Sequence, residues 1–261
     1  MTEKQWTAFV EYREWLKGKC QEWMAFADEL YPLQKEALKK DNEKTKDKKT
    51  PEYPLETAVV YNKTYDEVQP QDEIKLIVIG DNPGKEEQLS INNRYLVGQS
   101  GRIADGFFRR NPEFEIDFRK NVIIMNKTPV HTAKTTQLKY LYKNGSEDIK
   151  NLIASSQELM AQKAAELHQR LIEGKKKGDK NTELWIVGYS ELKKKGIFSV
   201  YHDTLRQSYS NKNWEYVYLY QHFSMNRFLI DLKEYKQKED LSVEQALHEI
   251  GKKHRIEIFG A

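Results

Sequence analysis

The chain has 261 residues, of which 38% are hydrophobic and 32% charged, and its formal net charge is +3 at pH 7. A chain of this length can bury a sizeable core, and so small a net charge does not by itself indicate a nucleic-acid partner. Cys20 is the single cysteine, which excludes an intramolecular disulfide and any metal or iron–sulfur site built from several of the chain's own cysteines. Because no stretch reaches the roughly 20 apolar residues of a membrane span and the first residues lack the blocks of a signal peptide, we expect a cytoplasmic protein.

The N-terminal segment has the pattern of an amphipathic helix. Residues 2–31 place apolar side chains mostly three or four positions apart, with Thr2 as a candidate N-cap and Gln5 as its capping-box partner. Pro32 is expected near the helix end. The following segment, 35–49, carries seven lysines against four acids and almost no apolar residues, so it is expected to bury nothing and to form a solvated helix end or a mobile loop.

The rest of the chain alternates between predicted strands and helices. Apolar runs rich in β-branched residues predict buried strands at 74–80, 121–126, 183–188 and 214–220, with a weaker edge strand at 57–61. Helices are predicted from residue 100 and over 147–171, 226–237 and 243–252. Such alternation favours a mostly parallel sheet between two helical layers, a three-layer α/β/α fold. We therefore expect an α/β domain over 51–261, preceded by a helical extension with a basic linker over 1–50.

Polar side chains follow three of the predicted strands. Asp81 and Asn82 follow the first strand, Asn126 ends the second, and His222 follows the fourth. Because parallel strands end at one edge of a sheet, these side chains are expected to converge on one ligand site. Each also has a purely structural explanation, since 82–84 has the composition of a turn and a single Asn or His is often a cap or a satisfied buried side chain.

The loop after the first strand differs from nucleotide-binding loops. A phosphate-binding loop has four residues between its glycines and a Ser or Thr after its lysine. Here three residues separate Gly80 from Gly84, and Glu86 follows Lys85. No glycine-rich dinucleotide fingerprint follows a strand either, so an enzyme that uses a nucleoside triphosphate or a nicotinamide has little support.

Four short motifs occur in order between residues 74 and 227. They are Gly80-Asp81-Asn82-Pro83-Gly84, Val97-Gly98-Gln99-Ser100-Gly101, Asn126 and His222-Phe223-Ser224. Their order and separations resemble those of the uracil-DNA glycosylase superfamily. The resemblance implies a monomeric protein of base excision repair that flips a damaged base out of DNA and needs no metal, other cofactor or membrane.

The resemblance also implies a role for each motif. A base that leaves DNA must be read on its Watson–Crick edge and depart as an anion. By resemblance, Asn126 would read the pyrimidine edge, His222 would donate to the developing charge on O2, and Asp81 or Asn82 would position the water. The implied base pocket also includes Gly80, Pro83, Gly84, Tyr95, Leu96, Gly98 and Ser100, and the implied DNA wedge is formed by Ser224, Met225, Asn226 and Arg227.

The chain departs from the family pattern at four points, one of which is the basic segment 35–49. Leu96 stands where the family has its base-stacking aromatic residue, so either the preceding Tyr95 swings in or stacking is lost. Phe223 replaces the usual proline of the His-Pro-Ser loop. Cys20 stands alone where the thermophilic branch has four cluster cysteines, so no iron–sulfur cluster is expected.

These departures leave three functions open. The first is a monofunctional DNA glycosylase that removes uracil or another deaminated base. The second is a catalytically weak or inactive relative that binds DNA, a nucleobase or a nucleotide in the same pocket. The third is an α/β interaction protein that docks a partner through its N-terminal helix.

Overall fold

The centre of the fold is a parallel β-sheet. The computed structural model describes residues 1–45, 49–193, 195–223, 227–238 and 240–260. Over these residues the sheet has four strands: β1 (Leu76–Gly80), β2 (Val122–Asn126), β3 (Glu183–Val187) and β4 (Val217–Tyr220). Their order is β2-β1-β3-β4, and all neighbours are parallel. The predicted α/β class with a four-stranded parallel sheet is confirmed.

Helices cover both faces of this sheet. They are α1 (Glu3–Trp23), α2 (Ala27–Lys44), α3 (Gln99–Arg110), α4 (Thr135–Asn144), α5 (Glu147–Glu173), α6 (Ser199–Gln207), α7 (Asn211–Trp214), α8 (Arg227–Lys238) and α9 (Val243–Phe259). Successive strand residues point to opposite faces. Ile77 and Ile79 accordingly pack in one apolar cluster with α1, α2, α4, α5 and α6, while Val78 packs in a second cluster with α3, α8 and α9. This arrangement is consistent with a three-layer α/β/α fold.

The first helix begins as predicted but ends differently. The Thr2 hydroxyl accepts a hydrogen bond from the Gln5 backbone at 3.3 Å, and the Gln5 side chain accepts one from the Thr2 backbone at 2.9 Å. The expected stop near Pro32 is wrong, because the helix is interrupted earlier, by a 3-10 turn at Met24–Phe26, and Pro32 lies inside α2. Proline removes one hydrogen bond of the helix and its ring crowds the carbonyl four residues earlier, yet α2 continues on both sides of Pro32.

The lysine-rich segment is partly packed, contrary to expectation. α2 continues to Lys44, and within it Ala37 is only 1% exposed. Asp41 on the same helix accepts a hydrogen bond from Lys134 at 2.8 Å. Residues 46–48 lie outside the described residues. The N-terminal helices therefore belong to the packed layer on one face of the sheet, where α1 packs against α5.

Three other element predictions need correction, and one helix was not predicted. Residues 57–61 form no strand but a single antiparallel bridge between Val59 and Val130, because Pro129 beside it has no N–H to extend a ladder. The fourth strand begins at Val217, after the short helix α7. Helix α4 was not indicated by the sequence pattern, and α9 continues past residue 252 to Phe259. In the described ranges, no helix is both long enough and apolar enough to span a membrane.

Candidate functional site

The carboxyl ends of the strands open onto a cavity of about 410 Å³. Asp81, Asn82, Asn126 and His222 all line it, so the four predicted polar side chains do converge. The lining also contains Gly84, Leu96 and Ser100 from the predicted set and, beyond it, Glu87, Thr132, Ala133, Lys134, Thr135, Thr136, Gly188, Ser190 and Glu191. Four other predicted pocket residues lie outside this lining: Gly80, Pro83, Tyr95 and Gly98.

Asn126 depends on the glycine beside it. Gly80 and Asn126 are paired in the parallel register of β1 and β2. A Cβ atom on residue 80 would lie 2.5 Å from Asn126 Oδ1, so only glycine leaves room for this carboxamide. Asn126 is 2% exposed, and no described residue accepts a hydrogen bond from its Nδ2. An unsatisfied buried donor costs about 1–3 kcal/mol, which a ligand that offers an acceptor would recover.

The Asp81 carboxylate is held from two sides. Lys127 Nζ donates to its Oδ1 at 2.6 Å, and the Thr135 hydroxyl donates to its Oδ2 at 3.2 Å. The backbone of Gly188 approaches the carboxylate from a third side. Gly188 has a φ of +87°, and a Cβ atom on it would lie 2.6 Å from Asp81 Oδ1. Three segments from the ends of β1, β2 and β3 thus meet at this carboxylate, which leaves its position little freedom.

Burial keeps the His222 imidazole neutral, and two nearby charges act on it in opposite directions. Burial lowers the pKa of His222, the Asp81 carboxylate opposes this, and the Lys127 ammonium lowers the pKa further. Burial also lowers the pKa of Lys127, against the effect of Asp81. Because unperturbed histidine titrates near pH 6.5, a lowered pKa means that His222 is neutral at pH 7 and can donate one N–H.

Asn82 holds the loops together. Its Nδ2 donates to the Thr132 hydroxyl at 2.9 Å and to the Thr132 carbonyl at 3.1 Å. The next residue, Pro83, accepts a hydrogen bond at 2.8 Å from Nδ1 of His131, whose Nε2 accepts one from the Tyr53 hydroxyl at 3.0 Å. Burial lowers the pKa of His131 to about 4, so this ring stays neutral at pH 7. The hydrogen bonds to Thr132 thus already occupy the Asn82 amide nitrogen.

Tyr95 points away from the cavity, and Leu96 lines it. Tyr95 is fully buried, and its hydroxyl donates to the Val60 carbonyl at 2.6 Å, away from the cavity. Leu96 lines the cavity with φ at +52°, an uncommon conformation for a residue other than glycine. Its carbonyl accepts a hydrogen bond from Arg119 at 2.6 Å. An aliphatic side chain thus occupies the position at which the family resemblance implied an aromatic ring.

Among the residues that sequence reasoning missed, Lys127 and Glu87 bear most directly on the charges of the site. Lys127 directly follows Asn126, so its place at a strand end was a usable signal. Glu87 had none, because a single acid in a polar loop has no distinctive pattern. Glu87 is 8% exposed, and its Oε2 has no hydrogen-bond partner among the described residues. Burial raises the pKa of Glu87 to about 7, although backbone hydrogen bonds with Gly84 and Leu96 and the charge of Arg119 lower it in part.

This shift predicts a pH dependence of stability. The folded protein holds a proton on Glu87 up to about pH 7, whereas the unfolded chain releases it near pH 4.5. The free energy of unfolding should therefore fall as the pH rises from 4.5 to 7, and Glu87→Gln should remove this fall. We expect the variant to be about 2–3 kcal/mol more stable than wild type in urea unfolding at pH 8 and nearly equal to it below pH 5. Glu86→Gln, on an exposed neighbour, is the matched control, and parallel pH curves for wild type and Glu87→Gln would contradict the prediction.

The implied DNA wedge lies largely outside the described residues. Ser224, Met225 and Asn226 belong to that part of the chain. Arg227 begins α8 and is exposed. Phe223 is 1% exposed and packs against the Phe228 ring, with 5.0 Å between ring centroids. A buried aromatic contact therefore anchors the chain next to His222, where the family has a proline.

The cavity combines a fixed carboxylate, a buried amide with an unused donor and a neutral imidazole. Among the described residues, no group of three or more His, Cys, Asp and Glu side chains is arranged to hold a metal ion. Comparisons of the chain with protein-family models, curated proteins and solved structures found no match.

Proposed function

We propose that this chain is a monofunctional DNA glycosylase with a uracil-DNA glycosylase-like fold, which hydrolyses the N-glycosidic bond of uracil or another deaminated base in DNA. The observation that carries the proposal is the Asn126 carboxamide. It is buried, its Nδ2 has no partner among the described residues, and it shares one cavity with Asp81 and His222.

The amide suits the edge of uracil. A carboxamide offers a donor and an acceptor side by side, which match O4 and N3–H of uracil, whereas cytosine presents the reverse order. Because Asn126 is held against Gly80 in the sheet register, little side-chain freedom is lost when a base binds.

His222 would stabilise the departing base, and Asp81 would position the water. Negative charge develops on the base as the bond breaks, and a preorganised donor such as the neutral His222 contributes roughly 3 kcal/mol to its stabilisation. Asp81 is a better candidate than Asn82 for positioning the water, because its carboxylate is charged and each of its oxygens can accept a further hydrogen bond beside those from Lys127 and Thr135. A carboxylate can also accept a proton from the water and stabilise the cationic sugar.

A second candidate is a protein that binds DNA or a free nucleobase in this cavity without cleavage. The aliphatic Leu96 favours it, because stacking on an aromatic ring is worth about 1–3 kcal/mol per base. The third function, docking through the N-terminal helix, has less support. The apolar side chains Phe9, Tyr12 and Leu16 of α1 are buried in the core of this chain.

The test uses single-stranded and duplex oligonucleotides that carry one uracil or another deaminated base. With enzyme in excess, the proposal expects release of the free base and an abasic site that alkali cleaves. Salt-dependent binding without release would favour the second candidate. Absence of both release and binding with every deaminated base would contradict both.

Asn126 itself gives a sharper prediction. Asn126→Ala removes both hydrogen-bonding atoms, and Asn126→Asp keeps the shape while replacing the donor by an acceptor. We expect both variants to lower uracil release by about 10-fold to 100-fold, since a bidentate base contact is worth about 1–3 kcal/mol. Asn144→Ala, on the exposed end of α4, is the matched control. Unchanged release by Asn126→Asp would show that this amide does not read the base.

A further inference from the structure

Lys127 crosses the carboxyl edge of the sheet. It follows β2, the edge strand, and its side chain is fully buried. Its Nζ donates to Asp81 Oδ1 at 2.6 Å and to the Val187 carbonyl at 2.7 Å. These acceptors lie at the ends of β1 and β3. The ammonium group therefore ties together the ends of three neighbouring strands beneath the cavity wall.

A buried ammonium of this kind needs a compensating charge. The Asp81 carboxylate supplies it, and the Phe198 ring, with its centroid 5.1 Å from Nζ, adds a weaker attraction. Glu191, on another part of the cavity wall, is itself paired with Lys139 at 2.8 Å. Asp81 is therefore the principal counter-ion of Lys127, and the Asp81 side chain is the member of this pair that faces the cavity.

We propose that Lys127 is the positioning residue of this site: it fixes the Asp81 carboxylate at the cavity wall and balances its charge. The ammonium also offsets the effect of Asp81 on His222, and without it the lone carboxylate would favour a protonated imidazole. The role in base excision rests on the proposed function. The charge arrangement itself does not, and it can be measured in the absence of any reaction.

The charges near His222 determine the direction in which each variant should move its pKa. The charge of Asp81 raises its pKa, and the charge of Lys127 lowers it. The other charged residues that line the cavity are Glu87, Glu191 and Lys134, and the last of these is paired with Asp41 at 2.8 Å. These three remain unchanged in the variants below, so a displaced titration of His222 reports on the Asp81–Lys127 pair.

The test is an NMR titration of the His222 imidazole in the full chain, assigned with a His222→Gln variant. In Lys127→Met, which keeps an unbranched side chain one atom shorter and without charge, we expect the midpoint to rise by about one pH unit or more. In Asp81→Asn we expect it to fall, and in the double variant to return towards the wild-type value. Thr135→Val removes the other hydrogen bond to Asp81 without changing any charge, and should leave the midpoint where it is.

Activity provides the second measurement. Lys127→Met should lower the single-turnover rate of base release at pH 7 by about 10-fold or more with little change in the dissociation constant for DNA, because the lysine acts on the reacting groups and not on binding. Lys127→Arg, which keeps the charge, should recover part of both the rate and the His222 midpoint. A purely structural role for Lys127 would move neither the midpoint nor the ratio of rate to affinity.

The outcomes separate this inference from the proposed function. A folded Lys127→Met protein with an unchanged His222 midpoint would overturn the inference, even if the wild type releases base. The expected shifts in a wild type that releases no base would support the charge arrangement and overturn the glycosylase proposal. If Lys127→Met fails to fold, Asp81→Asn decides, because a midpoint that does not fall in that variant overturns the inference.

Discussion

Asp81→Asn should lower single-turnover release of a deaminated base by about 100-fold to 10,000-fold, the range of a lost general base. The substitution keeps the shape of the side chain but removes the charge that would orient the water and stabilise the cationic sugar. Its Oδ1 can still accept the hydrogen bond that Lys127 now donates at 2.6 Å. We expect binding of the same oligonucleotide to change much less than the rate, which stopped-flow or quench measurements with excess enzyme would separate.

Two further variants serve as the control and as the test of Asn82 for the loss of rate in Asp81→Asn. Asp105→Asn, which removes an acid paired with Arg109 on α3, is the matched control and should not change the rate. Asn82→Ala should act mainly on stability, because it removes the hydrogen bonds that hold Thr132. A larger loss of rate in a folded Asn82→Ala protein than in Asp81→Asn would assign the water to Asn82 instead.

Gly80→Ala should abolish base reading while leaving the protein folded. The new methyl group would lie 2.5 Å from Asn126 Oδ1, so the carboxamide must rotate away from its position in the cavity wall. Because the displaced atom is the end of a side chain and not backbone, the strand pairing between β1 and β2 can persist. We expect uracil release to fall by about 100-fold, the upper end of the loss of one bidentate base contact.

The matched control for this variant is Gly18→Ala. Nothing lies within 4 Å of a Cβ atom at residue 18, which is in the middle of α1. That change should raise the free energy of unfolding by about 0.5–1 kcal/mol and leave the rate unchanged. Unchanged release by a folded Gly80→Ala protein would show that the position of Asn126 is not needed for the reaction.

Part of the fold was predictable because its signals are local. An apolar run such as 76–80, ended by a glycine and polar residues, specifies a buried strand and the loop after it without reference to the rest of the chain. The Thr2 capping box is equally local, and the structure contains it. Pro32 shows the limit of such signals, since packing of α2 against α4 and the residues around 58 maintains a helix through the proline.

The sequence by itself determined the parallel sheet and the edge at which Asp81, Asn82, Asn126 and His222 meet, because strands that alternate with helices run parallel and end at one edge of the sheet. Only the tertiary structure decided which partners these side chains have. The Lys127 ammonium lies on an acid 46 positions away, and the Tyr95 hydroxyl bonds a carbonyl 35 positions away. The burial of Glu87 depends in the same way on segments that packing brings together. Hydrogen bonding and burial of this kind are properties of the folded surroundings, and no local pattern encodes them.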